Sequence, residues 1–194
     1  MSKLILQMQM SVDGKVAAEA DIAWTIWDWI SQCPWDIELK KDFNMIVNGA
    51  HGILLSRKMI EQGYLDHWTR AGESHAGDSF YDFARHIAAV PKYVVTDKLT
   101  QSRWLRTQII DGEFATAIRE LKNRQQGPLM CFGGAHFGAS LLSAGLVDEL
   151  QLFINPAYVG KGLSLFDMPG LLTLTNSKAY ACGMVVNSYA PQRG

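Results

Sequence analysis

The sequence predicts an α/β fold in which parallel strands flanked by helices are completed by antiparallel C-terminal strands. Three observations carry this. The stretch Gly127–Pro156 reads as strand, glycine turn, helix, strand: an apolar run Leu129–Phe132, the pair Gly133 and Gly134, a helical pattern with Phe137, Leu141 and Leu142 on one face, and a second apolar run Leu150–Ile154. A crossover of that length with a helix inside it is what parallel strands need. Short apolar runs also feed helical patterns at Gly52–Leu55, and the tail holds two strand-like runs, Leu171–Thr175 and Tyr180–Tyr189, joined across Asn176–Lys178.

A chain of 194 residues is most simply one domain, spanning 1–194, with interior enough for a core without staples. The net charge of -1 gives no electrostatic footprint for nucleic acid or an anionic membrane. Cys33, Cys131 and Cys182 are odd in number and far apart, which suits buried thiols in a reducing compartment. The five histidines show no ligand spacing, so no metal is expected. There is no G-x-S-x-G. Residues 1–14 lack the long apolar core of a signal peptide and no run approaches membrane-spanning length, so a cytoplasmic protein is expected.

Taken in order, Lys3–Met10 alternates and leans apolar, a first strand ending at Ser11, and Ser11–Gly14 makes a turn into Lys15, Val16 and Ala17. Ala23–Trp35 holds four of the six tryptophans, which read either as packing or as a flat wall for a planar heterocycle. Asp28 and Asp36 are the nearby carboxylates; exposure on a helix or turn is the plain reading of each, anchoring a ring nitrogen the functional one. Glu38–Val47 reads as a helix and Gly52–Leu55 as a buried strand. From Leu55 the chain runs into Ser56, Arg57 and Lys58, opening a helix expected to reach Trp68. A strand feeding a helix whose first turn holds Ser, Arg and Lys is an anion site by the dipole argument, or two solvated cations.

Arg70–Ser79 reads as a surface loop, Phe80–Ala89 as a helix stopped by Pro91, Lys92–Thr96 as a third short strand, Trp104–Ile110 as another, and Phe114–Lys122 as an amphipathic helix. At Gly133 and Gly134, the absence of side chains lets the backbone approach a ligand, with the helix dipole behind it favouring a phosphate. A plain tight turn is the alternative. The spacing is neither the dinucleotide fingerprint nor a Walker loop.

Several of these motifs coincide with one family. Ser11–Ala17, SVDGKVA, resembles S-[LV]-D-G-x-[IV]-A; Phe132–Leu150 follows F-G-G-x-x-[LF] through G-L-V-D-E-L; and Gly160–Phe166 follows G-x-G-x-x-L-F. The chain thereby resembles the dihydrofolate-reductase-like family that includes the reductase domain of the bifunctional riboflavin biosynthesis deaminase-reductase, without the deaminase half. The resemblance implies a mainly parallel twisted sheet and a nicotinamide dinucleotide across the carboxyl ends of its strands. It places Val16 and Ala17 beside the nicotinamide, Leu55, Ser56, Arg57 and Lys58 on the cofactor phosphates, and Thr96, Asp97 and Lys98 near the adenosine. Phe132, Gly133, Gly134, Ala135, His136 and Phe137 complete the contacts. Three places depart: Ser56 and Met59 stand where G-R-x-T has Gly and Thr, while Arg57 matches, and Asp97 stands where a cation is usual. NADPH is the cofactor the resemblance implies; Asp97 would repel its 2'-phosphate, with Lys98 a partial compensation, so NADH is not excluded. Asp13 is the candidate catalytic or positioning residue, with turn capping as its structural alternative.

The expected function is hydride transfer from NADPH to a small planar substrate, pterin-like or of pyrimidine type. The alternative is a dinucleotide-binding or regulatory module without turnover, motivated by Met59 and Asp97. A homodimer is expected from the aromatic excess of Trp24–Trp35 and the closing strands.

Overall fold

A computed structural model describes residues 1–19 and 34–192. In chain order its elements are β1 (Leu4–Ser11), β2 (Lys15–Ala18), α1 (Ile37–Asn48), β3 (Gly52–Leu55), α2 (Arg57–Glu61), α3 (Tyr64–Ser74), a 3-10 turn (Ser79–Tyr81), α4 (Asp82–Ala89), β4 (Lys92–Val95), β5 (Thr107–Ile110), α5 (Phe114–Arg124), β6 (Leu129–Cys131), α6 (Ala135–Ser143), β7 (Glu149–Asn155), β8 (Gly162–Ser164), β9 (Leu172–Ala179) and β10 (Val185–Pro191). The fold is mixed α/β, mostly parallel, with antiparallel C-terminal strands. Two compact units are distinguishable: Met1–Leu4 with Lys40–Gly134, and Ile5–Leu39 with Ala135–Gly194. Among the described residues, no helix is long and apolar enough to cross a membrane.

In the first unit β5, β4, β3 and β6 lie side by side, all parallel. Ile53, Leu54, Phe83, Ile87, Ile118 and Leu121 are among its largest buried side chains, supplied by strands and by one face of each helix. Phe83 meets Phe43 and Trp68 edge-on, each at 4.9 Å between ring centroids. Asn44 ties α1 to the start of α4: its Oδ1 accepts from the Phe83 amide at 2.7 Å and its Nδ2 donates to the Phe80 carbonyl at 2.9 Å. A helix start with no capping hydroxyl of its own is thus completed from a distant residue. At the other end of α4, the buried Lys92 donates to the Ala88 carbonyl at 2.7 Å. Burial lowers the Lys92 ammonium to about 8.

The single helix expected from Ser56 to Trp68 is instead two, α2 and α3. Gly63 at φ +88° turns the chain between them, a conformation only glycine adopts without strain. α3 then continues to Ser74, through half of the expected Arg70–Ser79 loop. Its Gly72 allows a close approach that polarity alone does not reveal: a Cβ there would stand 3.1 Å from Arg85 Cγ on α4. The strand expected from Trp104 begins only at Thr107, after Arg106 at φ +53°.

In the second unit β1 runs parallel to β7, β10 is antiparallel to β7, and β9 is antiparallel to β10. A separate two-stranded ribbon pairs β2 with β8, through Lys15↔Ser164, Ala17↔Leu163 and Ala18↔Gly162. The closing hairpin turns elsewhere than expected. Asn176–Lys178 lies within β9, and the turn is Tyr180–Met184, where Gly183 at φ +90° donates to the Tyr180 carbonyl at 2.9 Å. The polar Asn-Ser-Lys run imitates a turn because β9 is an exposed edge strand with polar residues on both faces.

Candidate functional site

The parallel strands of the first unit carry their carboxyl ends to one rim. Neighbouring strands lie about 4.8 Å apart, and β4, β3 and β6 are consecutive, so Thr96, Ser56 and Phe132 with Gly133 follow one another along it. Gly133 has φ +113° and Gly134 φ +80°, so both positions depend on the absence of a side chain. Phe132 stacks on Tyr64, centroids 6.3 Å apart at 29°, forming an aromatic wall next to the glycine pair. Cys131 beneath it is fully buried, and burial raises its thiol to about 12.

Other predicted groups on this rim have partners already. Ser56 caps α2, its hydroxyl accepting from the Met59 amide at 3.2 Å, so Met59 serves the cap through its backbone. Arg57 lies along the helix in an ion pair with Glu61. Lys58 is exposed. Thr96 Oγ1 accepts from the Lys98 amide at 3.1 Å, while Lys98 Nζ stands 3.3 Å from the Asp97 carboxylate. The charge of Asp97 is therefore locally offset by its neighbour. Leu55 is fully buried, its side chain in the core.

In the second unit Asp13 is exposed but saturated. Its Oδ1 accepts from the Ser11 hydroxyl at 2.5 Å and the Val159 amide at 3.0 Å, and its Oδ2 from the Gly160 amide at 2.7 Å. The Ser11 hydroxyl, then the Val159 amide, hold the carboxyl down at about 2. Asp13 is thus an ionised anchor that fixes the loop after β7 against the turn after β1. Val16 is buried and Ala17 half-buried, both in β2. Ala135, His136 and Phe137 form the first turn of α6, with His136 exposed.

Asp36 is not a free surface carboxylate. It caps α1, accepting from the Leu39 amide at 2.8 Å and from the Cys182 amide at 3.1 Å, and the Leu39 bond lowers its pKa. Of the tryptophan cluster, Trp35 is buried and stacks on Phe153, centroids 6.2 Å apart at 21°. Trp24, Trp27, Asp28, Trp29 and Cys33 lie outside the described residues. Cys182 is half-buried.

One polar surface escaped the sequence reading. On β1 the side chains alternate, Leu6, Met8 and Met10 to one face, Gln7, Gln9 and Ser11 to the other. The β1–β7 register places Gln7 beside Gln151, Gln9 beside Phe153 and Ser11 beside Asn155. Gln7 is 5% exposed, Gln151 6% and Asn155 0%. Repeated glutamine at i and i+2 inside a strand was the available signal. A groove of about 530 Å³ in the same unit, lined by Leu142, Leu165, Phe166, Met168 and Leu171, contains none of the predicted site residues. Among the described residues, no cluster of three or more His, Cys, Asp or Glu could hold a metal ion.

Comparison with known proteins matches residues 2–186 to the model of the RibD C-terminal domain. A relative, the uncharacterized protein YyaP of Bacillus subtilis (strain 168), is 24% identical over 189 residues, 94% of this chain and 92% of its own. A putative riboflavin biosynthesis protein from Shewanella sp. PV-4 superposes with TM-score 0.70 at 16% identity, covering 98% of this chain and 99% of that one. The Thermotoga maritima diaminohydroxyphosphoribosylaminopyrimidine deaminase/5-amino-6-(5-phosphoribosylamino)uracil reductase gives 0.66 at 16% identity, with 98% of this chain on 57% of that one. The dihydrofolate reductase of Enterococcus faecalis, complexed with NADP(H), gives 0.57 at 11% identity, covering 98% and 97%. The fold is dihydrofolate-reductase-like, and the chain belongs to the RibD C-terminal domain family.

Proposed function

We propose that this protein is an NADPH-dependent oxidoreductase that passes a hydride to a small planar substrate of pyrimidine or pterin type. The observation that carries the reading is the glycine pair at the end of β6, free of side chains and in line with Ser56 and Thr96 on one rim, in a chain of a reductase-containing family. Gly133 and Gly134, both at positive φ, put no side chain at the end of β6, and main-chain amides at such a turn suit a diphosphate, so the residues present fit the group. Gly133, Gly134 and the Ser56 and Thr96 hydroxyls would hold the phosphates and adenosine, and Phe132 the adjoining face. When bound, the dinucleotide supplies the hydride donor.

The chain's own residues bind and orient. Asp13, held ionised, keeps the loop at Val159 and Gly160 in place; its role here is positioning. The Asp97 carboxylate and the Lys98 ammonium offset one another, which supports only a modest preference for NADPH over NADH. Titration of each dinucleotide, followed by tryptophan fluorescence, tests the reading. Saturable micromolar binding with oxidation of NADPH by a dihydropyrimidine-forming or pterin acceptor is the expected result. Binding without turnover of any pterin, pyrimidine or quinone would establish the regulatory module instead, and no binding of either dinucleotide would remove both.

The same reading includes a homodimer. β9 is an exposed edge; Leu171 just before it and Leu174 within it are 72% and 54% exposed, a surface that proteins ordinarily cover. Sedimentation showing only a 21.6 kDa species would defeat it.

A further inference from the structure

β5 is an edge strand, paired on one side only, with β4. The Lys92 amide donates to the Arg106 carbonyl at 2.8 Å and the Thr96 amide to the Ile110 carbonyl at 3.1 Å. Backbone groups alternate in direction along a strand, so Arg106, Gln108 and Ile110 face β4, while the N–H and C=O of Thr107 and Ile109 point away from it. Among the described residues no strand or loop bonds these outward groups. Proteins guard such edges with lysine, proline or a bulge. The run Thr-Gln-Ile-Ile has no charge and no proline, and its pairing with β4 proceeds without a register shift. Threonine and isoleucine favour the extended chain, so the edge is open to a further strand.

The charges around this edge are sorted by end. Arg103 and Arg106 precede β5, and Asp111 and Glu113 follow it, all four exposed. Arg103 lies over the Trp104 ring, 4.7 Å from its centroid, and Leu105 beside them is 87% exposed. The Ala115 amide, with the Thr116 amide beside it, holds the Glu113 carboxyl down at about 2, so Glu113 is ionised. A strand that suits this edge is acidic where it meets the arginines and basic where it meets the carboxylates. A second copy of β5, laid antiparallel, is such a strand. With the twofold axis at Gln108, Thr107 of each copy stands opposite Ile109 of the other, and every outward N–H and C=O on both strands finds a partner. The same rotation brings the arginines of each copy to the carboxylates of the other, at both ends of the contact. A parallel copy would set like charges together.

We propose that the β5 edge is a self-association surface, closed by antiparallel pairing with a second copy of this chain. It is separate from the β9 edge proposed for the homodimer. A chain with two such edges forms assemblies larger than two, because a twofold contact at one edge leaves the other open.

The test uses two complementary variants. In the first, Arg103→Glu with Arg106→Asn makes the amino end of the edge acidic, and asparagine tolerates the φ of +53° at that position. In the second, Asp111→Lys with Glu113→Ser makes the carboxyl end basic, with serine retained as a cap for α5. A third variant, Gln108→Lys, changes an exposed side chain and sets like charges opposite one another on the axis. β9 is intact in all three, so its contact sets a common baseline. Sedimentation equilibrium reads the wild type, each variant alone and an equimolar mixture of the first two, and thermal melting checks that each is folded. The wild type is expected to associate beyond the baseline, with a dissociation constant that rises about tenfold from low salt to about 1 M, where the screening length is about 3 Å. Each variant alone should fall to the baseline. The mixture of the first two should regain the wild-type association, because opposite charges then meet at both ends. A mixture of folded variants that stays at the baseline overturns the proposal, as does Gln108→Lys associating like the wild type. Species above 21.6 kDa that are the same in every sample leave the β9 homodimer standing and remove only the β5 contact. A wild type seen only at 21.6 kDa removes both.

Discussion

Replacing Gly162 with alanine probes the ribbon that links β2 to β8. A Cβ at Gly162 would stand 2.1 Å from the Ala17 carbonyl oxygen and 3.2 Å from its carbonyl carbon. Both are backbone atoms, so no side chain can swing away, and the strands must separate by about 1 Å to reach an ordinary contact distance, at the roughly 1–3 kcal/mol typical of an overpacked site. A two-stranded ribbon is marginal by itself. The strain is therefore expected to open the ribbon, with loss of the Ala18↔Gly162 pairing, the Glu19 amide to Lys161 carbonyl bond at 3.1 Å and the Lys15 to Ser164 side-chain bond at 3.1 Å. For a chain of this size the melting temperature should fall by about 2–4 °C per kcal/mol, so roughly 2–12 °C in all. Hydrogen exchange measured by mass spectrometry should show faster exchange across Lys15–Glu19, with Gly52–Leu55 in the first unit unchanged. On the proposed reading, with Val16 and Ala17 expected beside the nicotinamide, turnover should drop more than dinucleotide binding. Unchanged exchange at Lys15–Glu19 together with an unchanged melting temperature would refute the steric argument.

Three other outcomes are expected. Asp13 and Glu113 both have carboxyls lowered to about 2, Asp13 chiefly by the Ser11 hydroxyl and Glu113 chiefly by the Ala115 amide at the start of α5. Their stabilisation is therefore fully present above the ordinary carboxylate values, 3.8 and 4.5, and is lost as pH falls through that window towards 2. Asp13→Asn and Glu113→Gln should each flatten urea-measured stability against pH between those limits, and an unchanged slope would count against the pairing. Cys131, buried with its thiol raised to about 12, should resist iodoacetamide at pH 8 in the folded protein and react fully in urea; rapid labelling of the native state would contradict its burial. Phe83→Ala removes a ring 1% exposed and packed edge-on by Phe43 and Trp68, at a cost of about 3–5 kcal/mol. A loss below about 1 kcal/mol in denaturant titration would show that the site collapses around the gap.

What the sequence determined by itself was local. The apolar run before Gly133, the helical spacing after it and the glycine at 145 placed β6, α6 and the helix end, because strand burial, helix period and left-handed caps are each written within a few residues. The same holds for Gly52–Leu55 and for the family motifs. Tertiary structure decided what depends on distant partners. Whether Asp13 was a free acid or an anchor turned on amides at Val159 and Gly160, far along the chain. The break at Gly63, the continuation of α3 beneath Arg85 and the turn at Gly183 rested on which backbone conformation the packing selected, since a polar run fits an exposed strand as well as a loop. The amide pair showed this most sharply: Gln7 and Gln151 are ordinary polar residues until parallel pairing sets them side by side inside the sheet and buries both.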